Sequence, residues 1–151
     1  MSRRAMWYGI AIALVLLLGA AVPTLRPIDP AGYEDRAVAS AEGSLSAVRT
    51  AALLARATAR GKAFGPYGAV VLGDAREAVA TAQRELTTAR VPDRRSAALR
   101  DEVEPLLAES SAAVGDVGYV LGTGDRAGID TAAARLDRIG DRLESFVEAH
   151  R

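Results

Sequence analysis

Apolar residues recur along most of this chain at alternating steps of three and four positions, which is the spacing of one buried stripe on an α-helix. The pattern breaks near residues 64, 92 and 123 and therefore predicts four helices. The predicted buried positions are Val38, Ala41, Leu45, Val48, Ala52, Ala55 and Ala59 in the first helix, Val71, Ala75, Ala78, Ala82, Leu86 and Ala89 in the second, Leu99, Val103, Leu106, Ser110, Ala113, Val117 and Val120 in the third, and Ile129, Ala132, Leu136, Ile139, Leu143 and Phe146 in the fourth. Helices of similar length with short turns favour an all-α, up-down-up-down antiparallel four-helix bundle.

The residue types at the breaks are typical of helix ends. The sequence ARGKAFG, residues 59–65, places basic side chains beside a glycine, as helix C-termini prefer. Pro66 suits the first position of the second helix, and Asp93 is a suitable N-cap for the third. These local signals support breaks near residues 64 and 92.

Two features disagree with four uninterrupted helices. Pro105 lies inside the third pattern and predicts a kink, because it leaves the carbonyl of Asp101 without its helical donor. Gly73 lies inside the second pattern, and the following sequence DARE, residues 74–77, resembles a capping box. A helix start at Asp74 therefore remains an alternative, although it would leave one very long and one short helix with apolar surface uncovered.

The N-terminal region predicts a membrane-spanning helix. Residues 5–22 carry no charge, and a helix of that length spans about 27 Å, close to the ~30 Å hydrocarbon core of a bilayer. Arg3 and Arg4 precede the segment, so the positive-inside rule places residues 1–4 in the cytoplasm and the rest of the chain outside. We therefore expect a single-pass protein of the cytoplasmic membrane whose bulk is extracytoplasmic.

Other interpretations of the N-terminal region remain open. A cleavable signal peptide, with a cleavage site near the sequence GAAVP, would give a secreted protein instead. Small residues at Ala5, Gly9 and Ala13 lie on one helical face and form a candidate transmembrane dimer face. Three prolines in residues 23–32 predict a semi-rigid spacer, after which residues 33–151 form the bundle.

Composition and charge narrow the chemistry. The chain has no cysteine, which excludes disulfides and thiolate metal sites, and only 5% of its residues are aromatic, which predicts a thin aliphatic core. All nineteen acids lie after residue 22 against seventeen bases, a net charge of about −2, so this part does not predict nucleic-acid binding. Eighteen of the nineteen bases are arginine, which indicates a coding bias before a function.

The search for catalytic chemistry finds little. His150 is the single histidine and stands next to the last residue, where a solvated side chain is the expected role. Metalloprotease, hydrolase and di-iron motifs are absent from the sequence. The glycines in GTGDRAG, residues 122–128, follow a predicted helix rather than a strand, which argues against a dinucleotide site. We expect a protein that is not an enzyme and needs no cofactor or metal.

The most promising site lies at the tip, which we define as the end of the bundle that holds the first and third turns. Residues 43–73 contain no acid, and Gly115, Gly118 and Gly122 thin the third helix and predict a cleft. Tyrosine and arginine are enriched at binding hot spots. The candidate binding residues are Arg56, Arg60, Lys62, Tyr67, Asp116, Tyr119, Thr123, Asp125 and Arg126. The structural interpretation is that these glycines and charged residues only form turns and helix ends.

The sequence YVLGTGDRAGIDTAAARLDRI, residues 119–139, resembles the last helical turn of extracytoplasmic four-helix-bundle sensor domains of bacterial chemoreceptors and histidine kinases. The resemblance covers the leucine, the Thr-Gly-Asp turn and the following alanine- and leucine-rich helix. It implies a helical bundle that follows one membrane helix. Such receptors continue into a second membrane helix and a signalling module, and the sequence up to Arg151 contains neither, so we expect any output to pass through another protein.

Two functional hypotheses follow. The first is a membrane-anchored accessory or scaffold protein of the bacterial cell envelope, which binds a partner protein or associates with itself. The second is a sensor-like bundle that binds a small anionic or amphipathic molecule in the cleft at the tip.

Overall fold

A computed structural model describes residues 29–62 and 65–151. This part of the chain forms four α-helices, α1 (Pro30–Ala59), α2 (Gly65–Thr88), α3 (Arg94–Thr123) and α4 (Arg126–His150). The predicted four-helix bundle is confirmed, with turns at the predicted places. The first helix begins at Pro30, so the last three residues of the predicted spacer form its first turn.

The helices pack side by side with alternating direction. Successive ion pairs run in opposite order along neighbouring helices. Arg49 and Arg56 of α1 pair with Asp141 and Asp137 of α4. Glu109 and Asp116 of α3 pair with Arg142 and Arg135 of α4, so both pairs of neighbours are antiparallel. Helix α1 contacts each of the other three helices. Within the described residues, α2 and α4 do not approach each other, so α1 and α3 meet across the centre of the bundle.

Side-chain caps define the starts of three helices. Asp29, Asp93 and Asp125 each accept a hydrogen bond from a backbone N–H of the first turn of their helix. The backbone N–H of Ser96 lies 2.8 Å from the Asp93 carboxylate and, together with the Ser96 hydroxyl, lowers the pKa of that carboxyl. Each cap satisfies a backbone donor that has no partner inside the helix. The predicted capping role of Asp93 is confirmed.

Helix α1 is buried on two stripes because it has three neighbours. One is the predicted stripe, in which Ala41, Val48, Ala52 and Ala55 are buried and Val38, Leu45 and Ala59 are partly buried. The other alternates in steps of four and three through Tyr33, Ala37, Ser40, Ser44, Ala47, Ala51 and Leu54. Most of these side chains are small, so neighbouring backbones approach closely, and the pattern was missed because its serines are polar.

The predicted core positions are largely confirmed in α3 and α4. In α3 only Val120 is less than fully buried, and in α4 only Ala132. The prediction is wrong at Ala78 of α2, which is exposed, while Leu72 and Val79 are buried. The buried face of α2 is rotated relative to the predicted one, because Leu72 packs against α3, beside Gly118.

The prediction of a transmembrane helix before the bundle is wrong for the residues that the structure describes. None of the four helices in residues 29–62 and 65–151 combines the length and the apolar character that a bilayer crossing requires. The segment predicted to span, residues 5–22, and its candidate dimer face, Ala5, Gly9 and Ala13, lie outside the described residues. The extracytoplasmic location stays a prediction.

The alternative helix start at Asp74 is also wrong. Helix α2 runs without a break through Gly73 and Asp74. Glu77, the last residue of the predicted capping box, pairs with the Arg84 guanidinium of the same helix. Gly73 has open space around it, so it interrupts neither the backbone nor a contact. Helix α3 likewise continues through Pro105 to Thr123.

Candidate functional site

The end of α1 is shaped by a glycine in the left-handed region. Gly61 has φ of +69°, and its N–H donates to the carbonyl of Thr58 while the N–H of Lys62 donates to that of Ala57, at 2.9 and 2.8 Å. These two bonds form a Schellman motif, which closes the C-terminal end of the helix. Arg60 and Lys62 are thereby held at the tip, and both are exposed.

The turn between α3 and α4 accounts for three of the candidate binding residues. Thr123 donates to the carbonyl of Val120, and Asp125 caps α4 by accepting from the N–H of Ala127. The Arg126 guanidinium donates to the carbonyl of Ala59, at the last turn of α1. These side chains complete the helix ends and join the two turns of the tip, in agreement with the structural interpretation of this segment.

Two further candidates form ion pairs between helices. Arg56 pairs with Asp137 of α4, and Asp116 of α3 pairs with Arg135 of α4. Arg49 also reaches α4, where its guanidinium lies 3.0 Å from Asp141 and 2.9 Å from Glu144. The cations on this side of α1 are therefore used to hold α4 in place.

The cleft expected along the glycines of α3 is occupied at its centre. The Arg76 side chain of α2 lies against Gly118, where a Cβ atom would overlap the guanidinium and would come within 3.0 Å of Leu72. The guanidinium donates to the carbonyl of Gly115 at 3.4 Å. A Cβ atom added at Gly115 or Gly122 would meet open space. Gly118 therefore serves close packing between α2 and α3.

Large apolar side chains are exposed only near the tip within the described residues. They are Leu53, Tyr67, Val70 and Tyr119, with exposed fractions of 63%, 68%, 61% and 75%. Exposed apolar side chains mark interaction sites when they lie close together, whereas isolated ones are ordinary on a protein surface. The tip therefore holds the strongest candidate for a binding surface.

Helical periodicity places three of these four side chains along the line of one groove, and Gly68, beside Tyr67, lies against Leu54, beside Leu53. At the opposite end of the bundle, Asp35 of α1 and Glu85 and Thr88 of α2 line a groove between the two helices. Leu53, Tyr67 and Val70 each lie eighteen residues from one of these positions, which is five turns at about 3.6 residues per turn. Because α1 and α2 are antiparallel, the same shift leads toward the tip on both helices.

Tyr119 lies on a different face. Its neighbours on α3 are Gly118, which contacts α2, and Asp116, which pairs with α4. Tyr119 therefore faces outward from α3, the helix that lies diagonally across from α1. The structure does not bring the two tyrosines into one cleft. Of the nine candidate residues, it leaves Arg60, Lys62 and Tyr67 exposed at the end of the bundle where α1 ends and α2 begins.

The sequence analysis missed a cluster at the other end of the bundle. The His150 ring lies 3.4 Å from Glu102 of α3 and 3.9 Å from Glu34 of α1, and its centroid is 4.6 Å from that of Phe146. Arg95 donates to the same Glu34 carboxylate at 3.2 Å. The expectation of a solvated histidine is wrong, because helix packing brings these residues together from distant positions. No set of three potential metal ligands occurs in the described part of the chain.

A buried phenol lies near the same end. The Tyr33 hydroxyl is buried and has no hydrogen-bond partner within the described residues. Burial raises the pKa of the Tyr33 phenol, although the nearby Arg100 guanidinium opposes this shift. The hydroxyls of Ser40 and Ser44 are also buried without a partner in the described structure. These three hydroxyls are polar groups within the core of the described structure.

Comparison with known proteins adds no relative, since no family model, curated protein or solved structure matches this chain.

Proposed function

We propose that this protein acts through protein–protein contacts as an accessory or scaffold module, and that it binds its partner at the tip of the bundle. The observation that carries the proposal is the exposure of Leu53, Tyr67, Val70 and Tyr119, all in the half of the bundle next to the tip. Tyrosine contributes large rigid contact area at low cost in conformational entropy, which is why it is frequent in binding hot spots.

The surrounding structure supports this role. The Schellman motif at Gly61 fixes the C-terminal end of α1, and the Asp125 cap fixes the start of α4. The Arg126 contact with the carbonyl of Ala59 ties one turn to the other. A surface held in this way loses little conformational freedom on binding, so more of the contact energy contributes to affinity.

The alternative of a small anionic or amphipathic ligand has less support. The space expected beside Gly118 is filled by Arg76, and Arg56 is already paired with Asp137. The remaining exposed groups form an open surface, whereas small-molecule sites are mostly concave and enclose most of their ligand. We therefore favour a protein partner.

The proposal is tested by crosslinking in the cells that make the protein, followed by capture of the tagged full chain. We expect a specific crosslinked protein with the native chain, and a reduction of at least about tenfold in its yield with Tyr67→Ala/Tyr119→Ala, because hot-spot truncations cost about 2 kcal/mol or more. The control is Arg90→Ala/Glu148→Ala, which changes two exposed residues far from the tip.

Either of two results would contradict the proposal. One is an equal crosslinked yield from the native chain and from the tyrosine variant, at equal protein level and helicity. The other is the absence of any crosslinked partner, together with a small molecule that copurifies and stabilises the chain.

A further inference from the structure

The α1–α2 groove ends at the tip in a patch that combines apolar and cationic side chains. We define the Tyr67 patch as Leu53, Tyr67 and Val70 together with Arg60 and Lys62. All five side chains are exposed. Arg60 follows Leu53 by seven residues, which is two turns, so both lie on the same face of α1.

The positive charge of this patch is not neutralised within the described structure. Arg49 and Arg56 have carboxylate partners on α4, whereas no described carboxylate lies within 4.0 Å of the charged groups of Arg60 or Lys62. All nineteen acids of the chain belong to residues 29–151, and none to residues 43–73. The longest acid-free stretch after residue 28 therefore coincides with the exposed apolar side chains.

The remaining N-terminal sequence does not complement the patch. Residues 1–28 contain Arg3, Arg4 and Arg26 and no acid, so they add positive charge rather than neutralise it. Neither the described structure nor residues 1–28 therefore supplies a carboxylate partner for Arg60 or Lys62.

We propose that the Tyr67 patch binds an acidic segment of a partner protein, in which carboxylates stand beside apolar side chains. This inference rests on the proposed function and specifies the chemistry of its partner. Charge complementarity selects partners and speeds association, while the apolar contacts supply most of the affinity. A patch with two free cations is too small for a nucleic-acid backbone, which requires an extended basic surface.

The groove also sets the orientation of the segment. Asp74 lies one turn beyond Val70 on α2, and Glu77 follows it. Carboxylates of a partner would be repelled there, so the acidic end of the segment lies over Arg60 and Lys62 and its apolar end lies over Val70. Tyr119 faces another direction and takes no part in this contact.

The test replaces Tyr67 with a photoreactive phenylalanine analogue in the full chain, in the cells that make the protein. The same replacement at Arg90, an exposed position at the opposite end of the bundle, is the control, and a replacement at Tyr119 probes the other exposed tyrosine of the tip. Crosslinked peptides are sequenced by mass spectrometry. We expect the Tyr67 position to crosslink to a segment of another protein with net negative charge, and the charge-reversal variant Arg60→Glu/Lys62→Glu to lower the yield at least about tenfold.

A second measurement uses the crosslinked sequence as a synthetic peptide, beside a matched peptide in which every Asp and Glu is replaced by Asn and Gln. We expect the amide peptide to bind the full chain at least about tenfold more weakly. Arg90→Glu/Arg94→Glu provides a charge reversal of equal size at the opposite end, where neither arginine has an ion pair in the described structure, and it is expected to leave binding unchanged.

Several outcomes overturn the inference. They are a crosslinked segment without net negative charge, equal binding of the two peptides, adducts only with lipid or with a second copy of this chain, and no crosslink above the Arg90 control. If the partner is recovered through Tyr119 alone, this inference fails and the proposed function stands. If neither position yields a partner, both fail.

Discussion

At the scale of single residues, the glycines of α3 have different roles although they share one sequence context. Gly118 gives space to the Arg76 side chain, whereas Gly115 faces open space one turn earlier. Helix propensity alone disfavours both, by about 1 kcal/mol relative to alanine. The difference lies in what the neighbouring helix places against each position.

Replacing these two glycines separates packing from propensity. Gly118→Leu is expected to lower the free energy of unfolding by about 1–3 kcal/mol, because the new side chain overlaps Arg76 and Leu72. Gly115→Ala is the matched control and is expected to raise it by up to ~1 kcal/mol. Urea unfolding followed by circular dichroism measures both. Equal effects in the two variants would show that Gly118 is not a packing position.

At the scale of helices, caps and turns explain where each element begins and ends. The carboxylates of Asp29, Asp93 and Asp125 satisfy backbone donors at three helix starts. Gly61 and Gly124 end α1 and α3 with φ of +69°, a conformation that glycine adopts without a steric penalty. Only Pro105 opposes its helix, since it lies in the interior of α3 and lacks the N–H that the Asp101 carbonyl would accept.

The removal of this proline tests its cost directly. Pro105 is exposed, so Pro105→Ala loses little packing and restores a helical hydrogen bond. We expect the free energy of unfolding to rise by about 1–3 kcal/mol, with a matching rise in Tm. Ala108→Gly, at another exposed position of the same helix, is the opposite control and is expected to lower it by about 1 kcal/mol. A lower Tm for Pro105→Ala would mean that bundle packing depends on the proline.

At the scale of the whole molecule, α1 and α3 form the diagonal of the bundle, and each contacts the other three helices. The buried face of α1 consists mostly of alanine and serine, so its three neighbours pack closely against it. Alanine buries few methylene groups, each worth about 0.8 kcal/mol, and the larger side chains of α3 and α4 therefore carry much of the hydrophobic stabilisation. Leu136, Ile139 and Leu143 of α4 are all fully buried.

A charge in this part of the core is expected to unfold the bundle. Leu136→Asp places a carboxylate at a position with no solvent exposure, at an expected cost above ~4 kcal/mol. This is a large part of the ~5–15 kcal/mol that stabilises a typical domain. Ala134→Asp introduces the same group at an exposed position and is expected to remain folded. Circular dichroism melts compare the two, and a cooperative native-like melt of Leu136→Asp would refute the assignment of the α4 stripe.

The pattern of apolar and polar residues was enough to predict the number of helices, the positions of their turns and most of the buried positions in α3 and α4. These features depend on local physics, because a stripe such as Ile129, Leu136 and Leu143 repeats within a single helix. Caps such as Asp93 likewise act within one turn. The three breaks between helices follow from the same short-range signals.

Contacts between residues of different helices depend on how the helices pack, which the sequence pattern does not show. The rotation of α2 buries Leu72 and exposes Ala78, and it depends on two neighbouring helices at once. The contacts of Arg76 with Gly118 and of His150 with Glu34 join residues far apart in the chain. The placement of Tyr67 alongside Leu53 follows from the antiparallel packing of α1 and α2, which sets Gly68 against Leu54. Periodicity sets the face of a residue, and only packing sets its neighbours.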